Sequence, residues 1–206
     1  MKNIEKAIEL LEGTSIADTL SSMKSFMERT QADIDSFTGN TCIGCPSSCG
    51  SCCERFMPDI TEAEATLVAA EILMKENPMK FKRRLENAKG KTTGPCPLYD
   101  FDNDHHCMVY EARPLICRLF ANSCFPDKNG KPSFRSCHLN SGFRGISDNS
   151  LEKYEGKVPV MGEYGIQMRN IDGNSETIEL MPEATLKAIA MIEYYLSMMY
   201  PTPQCS

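Results

Sequence analysis

Five cysteines fall within twelve residues of this chain, in the stretch Cys42-Ile-Gly-Cys45-Pro-Ser-Ser-Cys49-Gly-Ser-Cys52-Cys53. A segment so rich in Gly, Ser, Pro and Cys has no helical or strand periodicity, so it reads as a loop whose order must come from its sulfurs. Soft metals and iron–sulfur clusters select thiolates, and short Cys spacings let one loop wrap a single centre. The intervening Gly and Ser residues permit tight turns and can aim backbone N–H groups at sulfur. Cys52 and Cys53 are the awkward pair. In extended backbone adjacent side chains point opposite ways, so the expectation is two nearby centres, or one ligand beside a packed or redox-active neighbour.

The chain has 11 cysteines, an odd number that excludes complete internal disulfide pairing. The start, Met1-Lys2-Asn3-Ile4-Glu5-Lys6, alternates charge where a secretory leader needs an apolar run. A cytoplasmic, reducing setting is therefore expected, and there dense cysteine usage points to metal or redox chemistry. The cysteines downstream of the loop, Cys96, Cys107, Cys117, Cys124 and Cys137, should converge on the same place, because five loop thiols already exceed one four-ligand site. Cys205 stands apart in a Pro-rich tail.

No apolar run approaches a membrane span, so no membrane partner is expected. The formal net charge of −6 argues against nucleic acid. A redox or protein partner is left as the expectation. Paired carboxylates, a phosphate loop and a Ser/His/Asp pattern are all missing, so the sequence establishes no catalysis.

The remaining sequence reads as mainly α-helical around an irregular, loop-rich cysteine core, with a small β-hairpin. Three segments are expected: helical residues 1–37, a cysteine-cluster metal-binding domain at 38–147, and a hairpin and helix at 148–206 packing on it. Apolar positions Ile4, Ala7, Ile8 and Leu11, then Ile16, Leu20, Met23, Met27, Ile34 and Phe37, predict two helices broken near Gly13. Thr61-Glu62-Ala63-Glu64 is a capping-box pattern that opens a helix running to about Asn77. Residues 79–90 read as a basic helix with a solvated face. His106 to Tyr110 reads as a short strand and Leu115 to Asn122 as a short helix. Alternation at Val158, Val160, Ile178 and Leu180 suggests a hairpin or irregular strands within 157–180. Pro182 sits where a first-turn proline would open a last helix with Leu186, Ile189, Ile192, Leu196 and Met199 along it.

Cys45-x3-Cys49-x2-Cys52 has the spacing of a radical-SAM cluster loop, but Ser51 stands where an aromatic is usual, and 206 residues leave little room for a barrel. The loop taken with Gly94-Pro95-Cys96-Pro97-Leu98 and with Cys107-Met-Val-Tyr110-Glu111-Ala112-Arg113-Pro114-Leu115-Ile116-Cys117-Arg118 resembles the YkgJ-type cysteine-cluster family, a zinc- or iron-chelating CxxCxxCC domain. The resemblance spans about residues 42–140. It implies Cys45, Cys49, Cys52, Cys53, Cys96, Cys107 and Cys117 as ligands, with Cys137 last; Cys42 and Cys124 are additions that compete for places in the set. Some relatives resemble flagellin lysine methylases, yet no methyl-donor site is evident in this chain.

An iron–sulfur cluster is the first expectation for the cofactor, serving electron transfer or redox sensing. The alternative is zinc or iron ions in an all-thiolate interaction module. Arg113 and Arg118 are expected to offset thiolate charge. His138, next to Cys137, is weighed as a further ligand and set below a surface or core role.

Overall fold

A computed structural model describes residues 1–41, 44–45, 48–130, 132–134, 156–171, 173 and 177–201. Cys42, Cys137, His138 and Cys205 lie outside the described residues. The described chain is mainly helical, as expected. Its helices are α1 (Lys2–Leu10), α2 (Ser15–Thr41), α3 (Glu62–Leu73), α4 (Pro78–Ala88), α5 (Leu115–Leu119), α6 (Met161–Ile171) and α7 (Met181–Met199), with a 3₁₀ turn at Tyr110–Ala112. The strands β1 (Asp59–Thr61), β2 (Cys124–Pro126), β3 (Pro132–Phe134) and β4 (Ile178–Leu180) form two antiparallel pairs, β1–β4 and β2–β3.

The bundle is organised around α3. Every residue from Ala63 to Ile72 is buried, which is the pattern of a helix surrounded by others. Its many alanines let α7, α2, α1 and α4 approach closely. The predicted stripe of α1 and α2 faces this core: Ile4, Leu20, Met23, Met27 and Phe37 are fully covered. Both halves of the capping box form, Glu64 N–H donating to Thr61 Oγ1 and Thr61 N–H donating to Glu64 Oε2. Asn77 caps α4, and Pro78 stands in its first turn, so that proline starts a helix where the sequence reading had only an interruption. On α4 Phe81, Leu85 and Ala88 turn inward, Lys82 pairs with Glu193, and Arg84 donates to the Tyr99 carbonyl at 2.6 Å.

Two local readings are corrected. Among its described residues the stretch 157–180 holds irregular strands and no hairpin: helix α6 occupies its middle, Val160 makes an isolated bridge to Cys124, and Ile178–Leu180 pairs with Asp59–Thr61. The small hairpin lies instead at Cys124–Phe134. His106 to Tyr110 is not a strand either. His106 has φ +53°, which breaks extended backbone, leaving one bridge between Tyr99 and Cys107.

Helix α6 is pinned to α2 by a polar knot. Buried Tyr164 donates to Asp33 Oδ2 at 2.6 Å, and Lys157 reaches the same oxygen at 2.7 Å while lying over the Tyr164 ring. The hydrogen bonds from Lys157 and then Tyr164 hold the Asp33 carboxyl below its ordinary value. A lowered acid stabilises the fold above its unfolded pKa and loses that contribution as pH falls through the folded one. Asp33→Asn should therefore cost about 1 kcal/mol at neutral pH and flatten the acid limb of the stability profile. Urea titrations at several pH values between neutrality and acid check this.

Candidate metal centre

Four segments meet beside the N-terminus of α3. Cys52 and Cys53 arrive on the dense loop, Cys96 on the Gly94–Leu98 loop, Cys107 on the turn preceding the 3₁₀ segment, and Cys117 on α5. The loops are stitched by backbone bonds: Cys96 N–H donates to the Cys53 carbonyl at 2.7 Å, and Met108 N–H to Leu98 at 2.9 Å. Gly50 is required by close approach, since a Cβ there would stand 2.6 Å from His106 Cβ.

The Cys52–Cys53 expectation needs revision. The backbone is turned there, with Cys53 N–H donating to Gly50 and Phe56 N–H to Cys52, both at 2.9 Å. The turn brings the adjacent sulfurs to 3.9 Å. Both face one pocket, shared with Cys96 and Cys117 and walled by Phe56, Pro58, Ile116 and Phe120. The argument from extended backbone does not apply to a turn.

Electrostatics tie Cys107 to the same group. Cys107 acts on Cys96, Cys52 acts on Cys107, and Cys96 and Cys107 both act on Cys117. Burial pushes the Cys96 thiol up to about 12 and raises Cys107 and Cys117 as well. Cys52 moves the other way, to about 7, chiefly because Cys53 donates a hydrogen bond to it; Cys53 is correspondingly raised. Arg113 favours the thiolates of Cys52 and Cys107, and Arg118 that of Cys107, as expected of both arginines.

The other expected ligands are placed differently. Cys45 is exposed, and its N–H donates to Asn122 Oδ1 at 2.9 Å, placing it near the end of α5. Cys49 is half-buried with its sulfur 3.7 Å from Ser51 Oγ. Cys124 is fully buried in β2, where burial alone raises its thiol to about 11. Among the described residues no three Cys, His, Asp or Glu side chains close tightly enough to hold one ion. Cys52, Cys53, Cys96 and Cys117 thus share a pocket, and Cys107 is tied to them by its field.

Three participants escaped the sequence reading. Glu64 does more than cap α3: its Oε1 accepts the Leu115 N–H at 2.7 Å, fastening the start of the helix that carries Cys117. Gln31 on α2 accepts from both Arg113 and Arg118. Tyr110 is sandwiched between His105, at 4.0 Å between ring centroids, and the Arg113 guanidinium, at 3.9 Å. The Thr61–Glu64 spacing signalled Glu64 as a cap and the Cys107-Met-Val-Tyr110 stretch contained Tyr110, but neither indicated these contacts, and nothing marked Gln31.

Clustered thiols flanked by guanidinium groups suit zinc or iron, because thiolate ligands need cationic compensation and soft donors favour these metals. That donor chemistry defines a cysteine-rich metal-binding protein. Residues 41–140, just under half of the 206 residues, match the CxxCxxCC family model, described as "Putative zinc- or iron-chelating domain". No curated protein and no solved structure matches the chain. Among the described residues no helix is long and apolar enough to cross a membrane.

Proposed function

We propose that this chain holds an iron–sulfur centre through Cys52, Cys53, Cys96, Cys107 and Cys117 and uses it for electron transfer or redox sensing. The observation that carries the reading is the meeting of these sulfurs, from four segments, beside two arginines. More than four thiols and a Gly/Ser-rich loop suit a cluster better than one ion. A cluster bound there would supply one-electron exchange. The protein supplies the thiolates, the positive charge of Arg113 and Arg118, and the apolar wall of Phe56, Ile116 and Phe120 that limits water. Zinc is the second reading, favoured by the four thiols lining the pocket, the number a closed tetrahedral site takes.

Anaerobic purification followed by assay of iron, zinc and acid-labile sulfide separates them. Iron and sulfide with visible absorption that bleaches on reduction are expected. Colourless protein with stoichiometric zinc selects the second reading, and protein that takes up neither metal removes both.

Loading should depend on pH in a defined direction. Cys96, Cys107 and Cys117 are raised, so at neutral pH they are protonated and must release protons to bind a cation. Apparent affinity should climb as pH rises towards those values, by about tenfold per pH unit for each proton released. Competition with a chromophoric chelator between mildly acid and mildly alkaline pH measures it; a flat profile contradicts thiol ligation.

A further inference from the structure

We propose that Gln31 is a positioning residue for the thiol site, its side-chain carbonyl holding the Arg113 and Arg118 guanidiniums together while leaving their positive charge to the sulfurs. The inference rests on the metal-binding reading and extends the site to a residue of α2 that lies before the matched residues 41–140. Gln31 Oε1 accepts from Arg113 Nη2 and from Arg118 Nη1, each at 3.1 Å. Its Nε2 donates to Asp35 Oδ1 at 2.8 Å, which orients the amide with its oxygen towards the arginines.

Two like charges sharing one neutral oxygen repel, and Arg118 is buried as well, 4% exposed. Its other acceptors are the carbonyls of Arg113 and Glu111, also neutral. Among the described residues neither guanidinium forms an ion pair with a carboxylate; Glu111 pairs with the N-terminal ammonium. Arg118 directly follows Cys117, a thiol lining the pocket, and Arg113 lies just before the N-cap of the helix that carries it, so the cationic pair stands beside the sulfurs. A carboxylate at position 31 would bind the two guanidiniums more strongly and would cancel the charge that the thiolates use. The amide keeps the geometry and leaves the field.

Gln31→Glu separates this role from a structural one, because stability and metal affinity should move in opposite directions. Co(II) is the probe, followed by thiolate-to-cobalt charge-transfer absorption, alongside thermal melting of the metal-free chain. Gln31→Glu should melt no lower than the wild type yet bind Co(II) about tenfold more weakly. Unchanged Co(II) affinity, or weaker binding that accompanies a lower melting temperature, overturns the assignment. A wild-type chain that takes up no Co(II) removes the metal-binding reading and this inference together.

Discussion

Cys117→Ser should abolish stoichiometric metal loading and lower soluble yield, whereas Cys124→Ser should retain the metal. Cys117 lines the pocket with Cys52, Cys53 and Cys96, and burial is the first cause raising its thiol, followed by the neighbouring cysteines. Serine removes a soft ligand whose hydroxyl replacement does not ionise at neutral pH. Loss of a ligand should weaken binding by more than about a hundredfold, since even the residues that merely orient ligands are worth about ten- to a hundredfold. It also leaves a buried hydroxyl in an apolar wall, at a cost of about 1–3 kcal/mol if unpaired. Cys124 is the more completely covered of the two, but it lies in the β2–β3 hairpin and outside the shared field of the other thiols, so its replacement tests burial without ligation. Metal-to-protein ratios of the two purified variants decide: full metal in Cys117→Ser removes that residue from the centre.

Glu64→Ala should be the most destabilising single change away from the sulfurs. The carboxylate is 3% exposed and accepts from the Thr61 N–H, the Thr61 hydroxyl and the Leu115 N–H. Truncation leaves buried donors at the starts of two helices, α3 and α5, and hydrogen bonds to a charged acceptor are worth about 1.5–3 kcal/mol each. A net loss of about 4 kcal/mol, or about 10 °C in melting temperature, is expected for a chain of this size. Thr61→Ala removes only the cap hydroxyl and should cost about 1 kcal/mol. Because α5 carries Cys117, Glu64→Ala should also weaken metal binding, and Thr61→Ala should not. Equal melting temperatures for the two variants would mean that the Leu115 tether contributes nothing.

The helices were legible in the sequence because their signals are local. Apolar spacing marked α1 and α2, the Thr61–Glu64 box marked α3, and Pro182 marked α7. Helix α6 was hidden because Gly162 and Gly165 dilute its periodicity, while Val158 and Val160 imitate a strand. Strand β4 pairs with β1, whose residues lie more than a hundred positions earlier, and no local pattern announces such a partner. The real hairpin had a signal that went unread: Asn129-Gly130 with Gly130 at φ +78°, between Phe125 and Phe134.

Convergence of the cysteines is expected from their number and spacing; Cys52, Cys53, Cys96 and Cys117 line one pocket with Cys107 acting on two of them, whereas Cys124 sits apart in β2. Their roles were not legible. Which thiol ionises first depends on a turn that points Cys52 and Cys53 the same way, and turn geometry is set by the folded loop. The contributions of Gln31 and Glu64 depend on contacts made across 82, 87 and 51 residues. Both residue types are common on helices, so composition carries no trace of either.

X-ray absorption at the metal edge of protein loaded during expression puts the account to its most direct test. A first shell made only of sulfur at about 2.3 Å is the predicted result for thiolate ligation. A shell dominated by nitrogen or oxygen would contradict it, because the gathered thiols would then be bystanders to a metal bound elsewhere.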